Sequence, residues 1–291
     1  MSTSSLPELS TDGRVVNDVY FAIMGASGVG KSSFIHLCTG KQDFWANGNS
    51  DRSKIQLHTF MLNEHTRINL LDTPGFDDPF LNEAYVLESI AQKLCFDYRQ
   101  GRYISGMIYL QKITDSLGEG TASLGNLRMF QQLCGSHAYR SLALVTTHWD
   151  RGGESGDFRE QELTSERHLW GSMAQSIVAR HDNTSASARA IITSLLKRTE
   201  EIGQITLKLQ YEVINDGLLL SETSAGKEVI KYVEMRSRGV KQQLLALPLQ
   251  VELATEAGDH MLGRELSKLM EQSEAQIKSD KKGLEALKTR I

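Results

Sequence analysis

The feature that most limits what this chain can fold into is the run Gly25-Ala26-Ser27-Gly28-Val29-Gly30-Lys31-Ser32, which directly follows the apolar run Val19-Tyr20-Phe21-Ala22-Ile23-Met24. Apolar residues without polar alternation suit a strand buried on both faces of a parallel sheet. The glycines that open and close the next segment let the backbone curl so that several N–H groups aim at one anion. The helix expected from Ser32 to Cys38 adds its positive end to the same point. Gly25, Ala26, Ser27, Gly28, Val29, Gly30, Lys31, Ser32 and Ser33 are therefore the expected phosphate contacts. Lys31 is placed to reach the terminal phosphates, and the Ser32 hydroxyl to ligate Mg2+. A chance glycine-rich loop would have no reason to lie between a strand and a helix.

A second carboxylate-bearing turn belongs to the same site. Ile55 to Leu62 and Thr66 to Leu71 read as a pair of strands turning at Asn63-Glu64, and the second ends in Asp72-Thr73-Pro74-Gly75. About forty residues after the lysine, an aspartate at a strand end can hold a Mg2+ water while the Gly75 N–H meets the terminal phosphate. The ordinary alternative is a Pro-Gly turn. Further along, a helix is expected from Leu81 to Arg99 and another from Ser123 to Leu133. Short apolar runs at Ser105 to Leu110, Ser141 to Thr147 and Ser176 to Ala179 read as strands, with a closing helix from Ser187 to Glu200. Strand, loop and helix in alternation imply a doubly wound, mainly parallel sheet in a three-layer α/β fold. The polar, aperiodic residues 41 to 54 fall where a switch segment would.

Thr147-His148-Trp149-Asp150 closes the fifth apolar run and is similar to the guanine-reading loop of small GTPases, with Thr for Asn and His for Lys. A carboxylate at Asp150 can accept both the N1–H and the N2–H of guanine, and adenine offers no such donor pair. The plain alternative is an acidic loop residue after a strand.

Taken in order, these loops resemble the TRAFAC-class GTPases and, within them, the septin-like and immune-associated (AIG-type) branch. Asp72-Thr73-Pro74-Gly75-Phe76-Asp77-Asp78, Gly106-Met107-Ile108-Tyr109-Leu110 with Ile113-Thr114-Asp115, Leu124-Gly125-Asn126-Leu127-Arg128-Met129-Phe130 and Thr146-Thr147-His148-Trp149-Asp150 look like the fungal G domain-containing P-loop NTPases. The resemblance spans roughly residues 18 to 200 and implies a P-loop G domain using GTP or GDP with Mg2+, metal held by Ser32 and Asp72, and chemistry centred on Lys31 and Gly75. It also places Asn183-Thr184 at the last base-contacting loop. Two departures stand out. Ser50-Asp51-Arg52 occupies the place of the switch threonine, leaving Ser53 and Thr59 as substitutes. Phe76 stands where many GTPases carry a water-orienting Gln, so that role would pass to Asp77, Asp78, a partner or another protomer. Slow, Mg-dependent hydrolysis of GTP is the leading expectation. The alternatives are a pseudo-GTPase that serves as a nucleotide-dependent scaffold, and an ATP-specific NTPase.

The remaining sequence sets limits. A net charge of -4 and a pI near 6.1 give no electrostatic reason for nucleic acid or an acidic membrane as partner. Cys38, Cys95 and Cys134 lack CxxC or Cys/His spacing and read as reduced, buried thiols, and His36, His58 and His148 as structural or solvent-exposed side chains. Residues 1–17 read as a disordered N-terminus. No later run approaches a membrane span, and cytoplasm is the default compartment. From 201 to 291 a helical C-terminal extension is expected, interrupted at Pro248. Leu262, Leu266, Leu269, Ile277, Leu284, Leu287 and Ile291 form a near-heptad stripe there. Packing of that stripe against the G domain is favoured over coiled-coil association, and a homodimer through the G domain or these helices is the expected protein partner.

Overall fold

The computed structural model describes residues 16–40, 54–77, 81–118 and 120–291. The disordered N-terminus expected for 1–17 lies almost wholly outside these residues, as do the switch positions Ser50, Asp51, Arg52 and Ser53 and the acidic Asp78.

Six strands form one sheet in the order β2-β3-β1-β4-β5-β6. They are β1 (Asn17–Met24), β2 (Gln56–Asn63), β3 (Thr66–Asp72), β4 (Gly106–Lys112), β5 (Leu142–Thr147) and β6 (Ile177–Arg180). All neighbours are parallel except β2 and β3. The exception is forced by connection length, because two residues, Glu64 and His65, can close only an antiparallel hairpin. Here the Asn63 side-chain oxygen accepts the His65 N–H at 2.9 Å.

Alternation along the central strands sorts the helices onto two faces. Phe21 and Ile23 of β1 and Ile108 and Leu110 of β4 share a core with α1 (Lys31–Thr39) and α5 (Ser185–Ile202). Ala22, Met24, Met107 and Tyr109 point the other way, into a core shared with α2 (Glu83–Arg99) and α3 (Ala122–Cys134). Covering both faces explains why the strands read as apolar without alternation. A further helix, α4 (Gly156–Ser165), comes after β5, with Leu163 as its inward anchor. It lacks an apolar stripe, so the sequence signal for it was weak.

Past residue 200 the chain stays on the α2/α3 face. A short α6 (Lys208–Gln210) runs into a π turn at Tyr211–Asn215, and α7 (Ser224–Glu256) and α8 (His260–Ala286) fold back on each other around Gly258. α7 packs on α3 and on α2, and α8 on α2. Val229, Val233 and Leu287 enter the core that Tyr109 and Phe130 begin. The expected interruption at Pro248 does not occur: the proline sits inside a continuous α7. It removes one N–H and its bond to the carbonyl of Leu244, while the helix still buries Leu247 and Ala254 on either side. The near-heptad stripe is divided. Leu287 is buried and Leu284 and Ile291 pack on the core, whereas Leu262 and Leu269 are exposed. Among the described residues no helix is long and apolar enough to cross a membrane. The three thiols are buried and free, with burial pushing Cys38 up to about 12 and Cys95 up to about 11.

Candidate nucleotide site

The C-terminal ends of the parallel strands bring the site together. β1 passes into the turn at Gly25, whose φ of 144° suits glycine; a Cβ there would collide with the Leu110 carbonyl oxygen of β4. The chain then turns through Ala26-Ser27-Gly28-Val29 to Gly30, the N-cap of α1, with Ser33 half-buried in its first turn. The Lys31 side chain folds back over this turn and is buried. Its ammonium donates to the carbonyls of Gly25 at 3.0 Å and Ala26 at 2.9 Å.

Ser32 and Asp72, forty residues apart, meet: the Ser32 hydroxyl donates to an Asp72 carboxylate oxygen at 3.2 Å. Burial holds the Asp72 carboxyl above the ordinary aspartate range, while the Lys31 ammonium and the Ser32 hydroxyl pull it down. A hydroxyl beside a carboxylate is a hard-oxygen pair. Among the described residues no cluster of three or more His, Cys, Asp or Glu side chains is arranged to hold a metal. Two hard oxygens fit an ion such as Mg2+, which keeps several waters and takes other ligands from phosphate oxygens.

Thr73 anchors the turn after β3, donating from its hydroxyl to the Ile23 carbonyl at 2.7 Å. Gly75 then passes so close to the loop that a Cβ on it would fall 2.8 Å from Ser27 Cα and 3.0 Å from Lys31 Nζ. Phe76 makes a parallel bridge with Ala26, and its carbonyl accepts the Ser27 N–H at 2.7 Å. Its ring is buried in the core with Leu71 and Met24. Asp77 comes next in a left-handed conformation, φ 63°.

The segment after β5 joins the same centre. The buried Thr147 hydroxyl lies 2.9 Å from the Val29 carbonyl and 3.0 Å from His148 Nδ1. That tie links the loop carrying Asp150 to the turn between β1 and α1. Burial, then the cations Lys112 and Arg151, lower the His148 pKa, which favours a neutral imidazole near neutral pH. Asp150 itself is open to solvent, 3.7 Å from Arg151.

Sequence reasoning missed the support for this loop. Arg180 of β6 lies over the Trp149 ring at 4.1 Å and bonds Glu160 of α4 at 2.9 Å, and Trp149 donates to Thr146 at 3.0 Å. An aromatic residue beside an aspartate was the available hint, but its partners are far away in sequence. Asn183 and Thr184 lie between β6 and α5, with Asn183 left-handed at φ 62° and Thr184 capping α5. Ser185 donates to the Leu37 carbonyl, which holds this turn against the end of α1.

Residues 20–109 match the family model described as 50S ribosome-binding GTPase. The match begins in β1 and ends in β4, so it takes in Lys31 and Asp72 and stops before Asp150. Among solved structures, Toc33 from Arabidopsis thaliana is similar at 17% identity, covering 65% of this chain and 86% of that one with a TM-score of 0.48. The cytosolic domain of the FeoB iron transporter from T. maritima, in its GMPPNP form, shares 16% identity over 93% of this chain and 98% of its own, TM-score 0.41. Era from Aquifex aeolicus bound to GDP and AlF4- shares 15% over 63% and 57%, TM-score 0.43.

Proposed function

We propose that the protein binds GTP and GDP with Mg2+ and hydrolyses GTP slowly. The observation that carries this reading is the convergence of three separate loops: Ser32 bonded to Asp72, Gly75 against Ser27 and Lys31, and Thr147 bonded to Val29. Residues 25–33 would cradle the phosphates, with Lys31 on their charge. Ser32 and Asp72 would hold Mg2+, which when bound supplies charge neutralisation at the phosphate oxygens. Thr147, His148 and Asp150 would meet the base, Asp150 accepting the two guanine donors. Lys31, Gly75 N–H and the loop amides would stabilise charge as water adds to the terminal phosphorus and the bond to the bridging oxygen breaks, giving GDP and phosphate.

Slowness rests on Phe76. Its ring is in the core and its carbonyl is engaged by Ser27, so position 76 offers no polar side chain to orient a water. The same observation favours a second reading, a pseudo-GTPase that binds nucleotide as an assembly module. On motif likeness we place the chain in the septin-like and AIG-type branch, similar to fungal G domain-containing P-loop NTPases, and take the cytoplasm as its compartment. We read 18–200 as the G domain and 201–291 as a helical extension coupled to it.

Calorimetric titration with GTP, GDP and an ATP analogue, with and without Mg2+, tests the binding claim. Tight binding of both guanine nucleotides and weak ATP binding is expected. Equal ATP affinity would make the protein an ATP-binding NTPase, and no binding would end the proposal. Phosphate release at the buffer rate at every protein concentration would select the pseudo-GTPase. A second copy is the protein partner we favour: Leu245, Leu249 and Leu253 are exposed at intervals of four along α7, between Lys241 and Glu256. Two such faces crossing antiparallel would set each basic end against an acidic one. A sedimentation coefficient that stays monomeric at high protein concentration would contradict it.

A further inference from the structure

Lys112 ends β4, one strand away from the phosphate loop. β4 runs parallel to β1 with Met24 opposite Tyr109, so Lys112 lies beyond the end of β1, beside the turn that β1 enters. On its other side it is in register with Thr147, the residue tied to Val29. The half-buried side chain crosses the loop. Its ammonium is 3.4 Å, and its last carbon 3.9 Å, from where a Cβ on Gly28 would stand.

A structural partner for this charge would be expected in Asp115, three residues later. That carboxylate accepts from Gln111 Nε2 at 2.8 Å. Burial raises its pKa and the Lys112 charge draws it down, but it does not come within ion-pair distance of the ammonium. Lys31 occupies the opposite edge of the loop, against Ala26 and Gly75. Two ammonium groups thus flank one turn of backbone whose N–H groups suit an anion. An anion seated between them would offset the repulsion of the two positive charges. Phe76 adds no polar side chain there.

We propose that Lys112 is a second phosphate-contacting lysine, donating to nucleotide phosphate oxygens from the Gly28 edge while Lys31 serves the Ser27 and Gly75 edge. This inference rests on the nucleotide-binding reading. A cation supplied by the same chain at the phosphates stabilises the charge that grows as the bridging P–O bond breaks. It does so without any contribution from position 76.

The test is the affinity of the full chain for GTPγS, with Lys112→Met, Lys112→Arg and Lys31→Ala compared with the wild type, and thermal unfolding of each recorded. Lys112→Met keeps the stem of the side chain and loses the charge. It should weaken GTPγS binding about tenfold or more, the scale of one charged hydrogen bond, at an unchanged Tm. Lys112→Arg should restore most of the loss. If Lys112→Met binds as the wild type while Lys31→Ala does not, the inference is overturned and the nucleotide site stands. Loss of affinity with a lowered Tm and no rescue by Arg would overturn it in favour of a packing role. Failure of the wild type to bind GTPγS would remove both readings.

Discussion

Two buried charge clusters stand at the two ends of the segment that leaves β3 and enters α2, and they are built differently. At the first end Lys31 donates to two backbone carbonyls, and Asp72 accepts from a hydroxyl. At the second, Arg236 of α7 bonds Glu83 of α2 and, at 2.6 Å, Asp280 of α8. Asp280 also accepts from Asn82 at 3.0 Å, Ser237 at 2.7 Å and Gln276 at 2.8 Å. In the first cluster the Lys31 ammonium also draws the Asp72 carboxyl down across the turn, with two backbone carbonyls and a hydroxyl around the pair. In the second, one guanidinium is met by two carboxylates of the same chain. The first cluster thus sets one ammonium near one carboxylate among a few neutral partners, and the second sets two carboxylates and three neutral donors around one guanidinium.

The largest effect expected from this contrast is on stability. Asp280→Ala leaves Arg236 with Glu83 alone and strands three neutral donors, and should cost about 3–5 kcal/mol in denaturant unfolding. A loss under about 1 kcal/mol, the scale of an exposed pair, would mean that the cluster is not an architectural one. Next comes Lys31→Ala, which should reduce GTP affinity at least about tenfold to a hundredfold, the value of one or two charged hydrogen bonds. Its unfolding midpoint should stay near that of the wild type, and a collapse of stability would erase the distinction between the clusters. Asp150→Ala removes an exposed acid, so it should leave stability unchanged and lower the preference for guanine over adenine by about tenfold to a hundredfold.

The smallest effect is a pH dependence. Burial, opposed by Arg236, raises the Glu83 pKa above the ordinary value of 4.5. A carboxyl whose folded pKa is raised holds its proton better folded than unfolded. Its contribution is therefore fully present below 4.5 and is lost as pH rises through the raised value. Tm measured against pH should show this decline in the wild type and not in Glu83→Gln. Parallel curves would mean that Glu83 is ionised as easily inside as in water.

What the sequence made legible was the part whose physics is local. Apolar runs marked β1, β4 and β5, the short turn between two strand-like segments marked β2 and β3, and the glycine spacing marked the turn from β1 into α1, because in each case neighbouring residues set the structure. Gly75 and Asp72 were legible through their spacing from Lys31. α4 was not, because it buries Leu163 but exposes most of its length. Pro248 suggested a break, but a helix already held by its neighbours tolerates one missing bond. Lys112 carried no signal of its own: a lysine at a strand end is ordinary until the fold sets Gly28 beside it. The Arg236, Glu83 and Asp280 cluster joins residues 153 and 44 positions apart, beyond any pattern in the chain.

That cluster also gives α7 the geometry of a lever. Arg236 is a fulcrum attached to the first turn of α2, a few residues downstream of Gly75, and the helix continues twenty residues to Glu256, about 30 Å at 1.5 Å per residue. A tilt of about 5° at the fulcrum becomes a displacement of about 3 Å at the far end. The exposed leucines lie along that outer arm. Any tilt of α7 about Arg236 is thus enlarged along the arm that carries Leu245, Leu249 and Leu253.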